Sequence, residues 1–247
     1  DENFVQFIDI KNRKVVDFLL TKMNKYIDII IPRGGKNLVK KVTDLSNLPT
    51  ISHLEGICHT FVDKDANPKI ARKIIFNAKL RNTAICGATE TVLIHEKILG
   101  KTCNFILKNL EDNGCKIIGD KKIKKIYKGK IFKATQYDWS KEYLSATVSV
   151  KSVKNIDEAI KHVNKYGTMH TDSIITDNKK TAKKFLKEVK SSIAMHNTST
   201  QFADGGEFGF GGEVGISTSK LHPRGPIGLD QLTTYKYILE GKGQIRK

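Results

Sequence analysis

The chain has 247 residues, and its 43 lysines and arginines against 26 aspartates and glutamates give a formal net charge of +17. Only six of the basic residues are arginine and the lysines are spread along the chain, which favours a solvated surface that attracts anionic metabolites over a nucleic-acid binder. A globular balance of 39% hydrophobic and 28% charged residues, without an apolar run near the ~18 residues of a membrane span, excludes a disordered chain and an integral membrane protein.

The first fifty residues predict a helix followed by a βα unit. An amphipathic helical pattern occupies residues 3–26, and the apolar run at residues 26–32 is typical of a buried strand. A glycine turn at residues 33–37 then leads into a second helix that ends near residues 47–49. A strand, a glycine turn and a helix in this order indicate a unit of a parallel sheet.

Residues 60–196 repeat the alternation of strand and helix. We predict strands at residues 60–62, 91–95, 116–118, 147–150, 172–176 and 192–196, and helices at 69–80, 98–113, 155–166 and 179–190. The run at residues 121–133 alternates lysine with Ile, Tyr and Phe, which indicates a strand at a defended sheet edge. The sequence therefore predicts an α/β fold with a largely parallel sheet.

The last 45 or so residues differ in character. Residues 204–215 are rich in glycine, and residues 221–228 contain two prolines and two glycines. Residues 233–239 are β-prone and lie beyond the predicted compact body. A lone terminal strand is seldom stable, so we expect it to pair with another element or another subunit.

Cys86 is the residue that chemistry singles out. It stands between a predicted helix and a predicted strand, and Gly87 after it would let a substrate approach. Lys79 and Arg81 are expected to favour the thiolate, the form that attacks an acyl group. The competing interpretation is a small buried filler, the commonest fate of a free cysteine.

The remaining reactive side chains yield no second site. The four cysteines form no CxxC pair and the seven histidines form no metal-binding set, so we predict no disulfide scaffold and no metal. The sequence does not choose a histidine partner for Cys86. No signal-peptide pattern precedes the first elements, which predicts the reducing cytosol. The glycine loop at residues 205–212 either wraps a ligand or is a flexible loop, and it lacks the dinucleotide-binding spacing.

Several separated segments resemble γ-glutamyl phosphate reductase, a family within the aldehyde dehydrogenase superfamily. They occur in the family's order along the whole chain. These segments are residues 26–36 (YIDIIIPRGGK), 56–59 (GICH), 62–63 (VD), 77–79 (NAK), Cys86, 90–91 (ET), 158–162 (EAIKH), 166–172 (YGTMHTD), 204–209 (DGGEFG), 221–226 (LHPRGP) and 232–236 (LTTYK).

The resemblance covers the later, larger part of a family member. It implies an aldehyde-dehydrogenase-like α/β fold, with a parallel-sheet catalytic domain and the remnant of a Rossmann-like cofactor domain. Residues 1–50 would then be the end of the NADP-binding domain, residues 51–228 the catalytic domain, and residues 229–247 a strand for a homo-oligomer. Because the chain opens at Asp1 and not at methionine, we expect a fragment or a processed product.

The implied reaction is NADPH-dependent reduction of L-glutamyl 5-phosphate to L-glutamate 5-semialdehyde, with release of phosphate. The Cys86 thiolate would attack the acyl phosphate and form a thioester. Since the acyl phosphate is already activated, the protein must mainly position it and hold the oxyanion. No water has to be activated, which agrees with the lack of the superfamily's general-base glutamate near residues 52–54.

The resemblance also implies binding residues. The glycine turn would meet the nicotinamide-proximal phosphate or ribose, and a loop glutamate would bind the nicotinamide ribose; ordinary turn chemistry and a solvated carboxylate are the simpler interpretations. The implied cofactor residues are Arg33, Gly34, Gly35 and Glu142, and the implied substrate residues are Lys79, Asn197, Ser199 and Thr200.

The sequence departs from the family pattern at two places. Asn82 and Thr83 stand where the family commonly has Arg-Pro, and Gln201 stands where relatives often have an arginine that could grip a carboxylate. A non-catalytic remnant, or one part of a split enzyme, is the alternative reading. A bifunctional enzyme is a further one, with a glutamate 5-kinase as a domain or partner.

Overall fold

The computed structural model describes residues 1–246. Lys247, the final position of the predicted segment 229–247, lies outside the described residues. No helix within them combines the length and the apolar character needed to cross a membrane.

A parallel sheet forms the centre of the molecule. Within residues 1–246 it has seven strands in the order β4-β3-β5-β2-β1-β6-β7. A separate antiparallel pair, β8 and β9, lies outside it. The strands are β1 (Cys58–Val62), β2 (Thr89–His95), β3 (Lys116–Gly119), β4 (Ile131–Lys133), β5 (Thr147–Val153), β6 (Thr171–Ile175), β7 (Ile193–His196), β8 (Gly215–Ser217) and β9 (Gly225–Ile227).

Helices cover both faces of this sheet. The helices are α1 (Lys14–Lys22), α2 (Lys36–Leu45), α3 (Pro68–Leu80), α4 (Lys101–Asp112), α5 (Lys121–Ile126), α6 (Ile156–Tyr166) and α7 (Lys179–Glu188). Those that pack on the sheet are α3, α4 and α5 on one face and α6 and α7 on the other. Local sequence features fix where a helix begins, as at the start of α3. Asn67 accepts hydrogen bonds from the backbone of Lys69 and Ile70, and Pro68 occupies the first turn, where its missing N–H has no effect.

Successive residues of β2 supply the cores on the two faces. Val92 and Ile94 face α3 and α4, where Leu107 of α4, together with Ile117 of the neighbouring strand β3, completes one buried cluster. Leu93 faces the other side and joins a cluster with helices α6 and α7. Strand residues alternate between faces, so a sheet covered on both sides needs the continuous apolar runs that the sequence has.

The predicted alternation of strand and helix between residues 60 and 196 is confirmed. The run at residues 121–133 is corrected: it begins as helix α5, and only Ile131–Lys133 forms the edge strand β4. The Asp120 carboxylate caps α5 by accepting a hydrogen bond from the Ile123 backbone, and the buried Ile123 side chain anchors the helix. Capping and one buried residue therefore outweigh the alternating pattern.

The strand predicted at residues 26–32 is not formed. Its pairing among the described residues is a single bridge between Ile30 and Thr50. A strand requires neighbours along its length to satisfy its backbone groups, and one bridge does not supply them.

The predicted terminal strand has no partner strand within residues 1–246. Tyr235, Tyr237 and Leu239 are exposed, and residues 233–239 form no ladder. Pairing of this segment with another subunit stays a prediction.

A reversal after β7 positions the candidate site. Asn197 has φ 53°, a conformation that asparagine tolerates better than most residues. Its side chain accepts a hydrogen bond from the Thr176 backbone N–H and donates one to the Thr176 carbonyl. The chain then runs back over the sheet, so that the Thr200 hydroxyl lies 2.9 Å from the Thr89 hydroxyl at the start of β2.

Candidate active site

Cys86 lies at the amino edge of the parallel sheet. It belongs to the connection between α3 and β2, three residues before β2 begins. Gly56 precedes β1 and His170 precedes β6. Because all the strands of this sheet run the same way, these positions meet at one edge although they are far apart in sequence.

Close packing fixes the backbone of Cys86. A Cβ atom on Gly56 would stand 2.1 Å from the Cys86 carbonyl oxygen and 2.5 Å from its Cα, so only glycine fits there. The Gly56 N–H donates to Glu142 Oε1 at 2.8 Å, and the Cys58 thiol donates to the Cys86 carbonyl at 3.1 Å. Gly56 and Cys58 therefore hold the backbone of Cys86, and Glu142 in turn holds Gly56.

Two histidines flank the Cys86 sulfur. The sulfur and one ring nitrogen from each of His53 and His170 all lie within 4.8 Å of one another. His53 Nδ1 donates to the Ile216 carbonyl at 2.8 Å, since a carbonyl can only accept. His170 Nδ1 is 3.0 Å from the Thr171 hydroxyl, and its Nε2 is buried without a hydrogen-bond partner among the described residues.

These histidines are the functional candidates that sequence reasoning missed. Seven histidines are present, and their spacing alone distinguishes none. The position of His170 directly before a strand carried a signal, because residues that precede parallel strands share an edge.

Burial raises the pKa of the Cys86 thiol to about 11, and the carboxylates of Glu142 and Glu213 add to the rise. The backbone N–H groups of Cys86 and Gly87 act in the opposite direction. The thiol is therefore protonated at neutral pH in this conformation. The expectation that Lys79 and Arg81 favour the thiolate is wrong: Lys79 pairs with Glu90, and Arg81 donates to the Gln201 side chain.

Lys79 is also buried in the protein interior, where a substrate cannot reach it. Its side chain is 0% exposed and its ammonium lies 2.5 Å from Glu90 Oε2. It points into the protein because α3 places it on the same face as Ala71, Ile75 and Ala78, all buried. Contact between Lys79 and a substrate is thereby contradicted.

The other predicted substrate residues lie on the reversal after β7. Asn197 is used in holding that turn, and Ser199 Oγ accepts a hydrogen bond from the Gln201 backbone. Thr200 is buried, and its carbonyl lies 3.3 Å from a Cβ built on Gly87. Of these three, Thr200 contacts the Cys86 turn directly. A substrate contact by Ser199 or Thr200 stays a prediction.

Gln201 has a structural place in the site. Its amide donates to the Ala78 and Asn82 carbonyls at 2.9 and 3.0 Å and accepts from Arg81 Nε at 2.9 Å. It thus ties the end of α3 to the reversal. Next to it, a cavity of about 380 Å³ is lined by Asn77, Arg81, Ser199, Gln201, Phe202, Asp204 and Glu207.

Two of the predicted cofactor residues share a cavity with His53. Arg33 and Gly34 line a cavity of about 260 Å³ together with His53 and Gly215. Gly35 borders a separate groove at the start of α2. Glu142 is partly buried and holds the Gly56 amide with one carboxylate oxygen. The structure thus brings Arg33, Gly34 and Glu142 around the His53–Cys86 pair, with Gly35 adjoining.

Comparisons with known proteins identify relatives of this chain. The sequence model of the aldehyde dehydrogenase family matches residues 138–238. The chain is 44% identical to γ-glutamyl phosphate reductase of Parvibaculum lavamentivorans, over 99% of this chain and 58% of the relative. It is 47% identical to that of Methylocella silvestris, over 97% of this chain and 56% of the relative.

Solved structures of γ-glutamyl phosphate reductase and of an aldehyde dehydrogenase resemble this chain. The crystal structure of γ-glutamyl phosphate reductase from Thermotoga maritima superposes with a TM-score of 0.94 at 41% identity, covering 98% of this chain and 58% of that protein. An acetylating aldehyde dehydrogenase from Geobacillus thermoglucosidasius, at 17% identity and a TM-score of 0.72 over 96% of this chain and 61% of that protein, shares the fold. The chain spans little more than half the length of the curated relatives described here.

Proposed function

We propose that this chain, which is homologous along nearly all its length to γ-glutamyl phosphate reductases and has the aldehyde dehydrogenase fold, reduces L-glutamyl 5-phosphate to L-glutamate 5-semialdehyde. The reaction releases phosphate and uses NADPH. The single observation that supports it most is the placement of Cys86: a partly buried thiol beside His53 and His170, with His53 also lining the cavity that holds Arg33 and Gly34.

Cys86 is the proposed nucleophile, and its proton must leave before it attacks. His53 is the better acceptor of the two histidines because it is partly exposed and its Nδ1 carries the hydrogen that faces Ile216, which leaves a lone pair on Nε2. His170 is fully buried, and burial lowers the pKa of its imidazole to about 3. His53 can therefore pass the proton on to solvent, whereas His170 stays neutral.

The backbone N–H groups of Cys86 and Gly87 are the proposed stabilisers of negative charge at the reacting centre. Both lower the pKa of the thiol, so both face the sulfur. Amides held in place by the contact of Gly56 with Cys86 need no reorganisation when charge develops on the acyl oxygen. The leaving phosphate needs little assistance, and the net charge of +17 favours the approach of the anionic substrate.

The residues present fit the nicotinamide end of the cofactor. Arg33 and Gly34 line a cavity that reaches His53, and one oxygen of Glu142 is not engaged by Gly56. When bound, NADPH supplies the hydride that reduces the thioester. Arg33 would bind an anionic or ribose group, Glu142 would accept from a ribose hydroxyl, and Gly35 would support the turn.

The domain division is proposed on the same basis. Residues 1–50 would complete a cofactor-binding domain, residues 51–228 carry the catalytic fold, and residues 229–247 join a sheet of a homo-oligomer. The exposed Tyr235, Tyr237 and Leu239 support the last point, since large side chains in an extended segment suit pairing with another chain.

The test measures phosphate-dependent oxidation of glutamate 5-semialdehyde with NADP⁺, the reverse reaction, because the acyl phosphate is unstable. The purified chain is assayed alone and joined to the segment of the Thermotoga maritima relative that it does not match. We expect activity in at least the joined protein, its loss in Cys86→Ser, and its retention in Cys103→Ala, where the thiol is buried in α4 away from the site.

Mass spectrometry of the glutamyl thioester on Cys86 supplies a second measurement. Activity that persists in Cys86→Ser would overturn the proposal. Absence of both turnover and thioester in the joined protein would instead favour the alternative, a non-catalytic remnant or a part of a split or kinase-containing enzyme.

A further inference from the structure

We propose that His53, Cys86 and His170 form a site for a borderline-soft divalent cation such as Zn²⁺, and that the cation reversibly blocks the Cys86 sulfur. One donor atom from each residue lies within 4.8 Å of the other two. Ligand atoms around tetrahedral zinc are about 3.5 Å apart. Closing the site therefore requires the donor atoms to approach one another by little more than about 1 Å.

The hydrogen bonds on the far side of each imidazole suit a metal ligand. A histidine that binds a metal usually donates its other ring N–H to a carbonyl or another fixed polar group. His53 does so from Nδ1 to the Ile216 carbonyl at 2.8 Å. His170 Nδ1 is engaged by the Thr171 hydroxyl at 3.0 Å, with the Cys58 sulfur at 3.6 Å. In both rings Nε2 is the nitrogen left for a ligand.

His170 is the independent sign of a ligand. It is 0% exposed, and its Nε2 has no hydrogen-bond partner among the described residues. An unpaired buried polar atom normally carries a free-energy penalty. The two imidazoles meet edge to face with their centroids 5.1 Å apart, and one nitrogen of the His170 ring lies within 4.8 Å of the Cys86 sulfur.

The surroundings favour a cation over an anion. The carboxylates of Glu142 and Glu213 both act on the Cys86 sulfur, which adds negative charge beside the three donor atoms. Two imidazoles and one thiolate leave the fourth tetrahedral position of zinc open, on the partly exposed side of Cys86. A water molecule or a substrate group can occupy that position.

Binding replaces one bond of the cysteine with another. The S–H bond breaks, an S–Zn bond forms, and the proton goes to water with no change of oxidation state. A sulfur bound to zinc has its lone pair engaged and cannot attack an acyl group. The metal binding itself is independent of the proposed reductase function; the inhibitory effect rests on it.

The test uses the purified full chain, with Zn²⁺ and Co²⁺ as probes and without any substrate. Zn²⁺ affinity is measured by competition with a chromophoric chelator, and Co²⁺ reports sulfur ligation through a thiolate-to-metal absorption band. We expect one equivalent of metal, a thiolate band, and protection of Cys86 from iodoacetamide by Zn²⁺. Since no readout needs reductase activity, failure of the site and failure of the proposed function are distinguishable.

Variants decide the ligand set. Cys86→Ser should abolish the thiolate band and weaken Zn²⁺ binding at least about tenfold, and His53→Ala, at a partly exposed position, should also weaken it at least about tenfold. Cys103→Ala is the matched thiol control and should change neither. Circular dichroism confirms that each variant folds. A Co²⁺ complex without the thiolate band, or equal Zn²⁺ affinity in Cys86→Ser and the unchanged chain, overturns the proposal.

Discussion

Gly56 lies directly beneath the backbone of Cys86, so close that a single methyl group on it would stand 2.1 Å from the Cys86 carbonyl oxygen. The same glycine is anchored through its N–H to Glu142. The position of the candidate nucleophile is therefore set by a residue without a side chain, thirty positions earlier in the sequence.

Gly56→Ala is expected to displace Cys86 and lower the reductase activity of the joined protein about 100-fold, since misplacing a reacting group by about 1 Å has an effect of that size. Overpacking should also reduce the free energy of unfolding by about 1–3 kcal/mol. Urea denaturation and the semialdehyde assay measure the two effects. Gly100→Ala is the control, because a Cβ there meets nothing within 4 Å. Equal behaviour of the two variants would contradict the expectation.

Lys79→Met should lower the free energy of unfolding by about 3–5 kcal/mol, because it leaves the Glu90 carboxylate buried without its partner. The matched control is Lys184→Met, which breaks an exposed pair with Asp157 and should change stability far less, because solvent screens exposed pairs. Urea denaturation at neutral pH compares the two. A loss in Lys79→Met as small as that in the control would show that the pair contributes little.

Acid should destabilise the protein through His162. Burial, and then the charge of His59, lower the pKa of His162 to about 2, with Lys151 and Lys165 acting in the same direction; an unfolded histidine titrates near 6.5. Between these values the unfolded chain binds one more proton than the folded one. The free energy of unfolding thus falls by about 1.4 kcal/mol for each pH unit below 6.5 from this residue alone.

Replacing the ring with one that cannot titrate isolates this contribution. In His162→Phe, which keeps an aromatic ring against Trp139 and Tyr166, the pH dependence of unfolding between pH 7 and 5 should be shallower by that amount. His222→Phe replaces an exposed histidine and should leave the slope unchanged. Identical slopes in the unchanged chain and His162→Phe would refute the assignment.

Much of the fold is predictable from local sequence because its strands are buried on both faces and its helices carry their own caps. Asn67, Asn155 and Asn178 all accept hydrogen bonds from the first turn of the helix that follows. The local sequence predicts the wrong structure for residues 26–32 and 121–133. Residues 26–32 form no strand because they lack a partner along their whole length. Residues 121–126 form a helix because the Asp120 carboxylate caps it.

The candidate site is less predictable, because its contacts cross the sheet. Cys86 is found from its flanking residues, but nothing local joins it to His53 or His170. Lys79 looked like an anion contact, although its helical spacing after Ala71 and Ile75, both buried, already placed it on the inner face of α3. Asn197 looked like a pocket residue. Its positive φ instead forms the turn after which Thr200 reaches Thr89.

The assembly of the site at the amino edge of the sheet places the carboxyl ends of the strands far from Cys86. Lys154 is exposed just beyond the end of β5, a strand whose seven residues separate the two edges by about 20 Å. A fluorophore or an immobilisation tether attached there would keep the Cys86 face open to reagents. A label at Lys154 would therefore leave the Cys86 thiol uncovered.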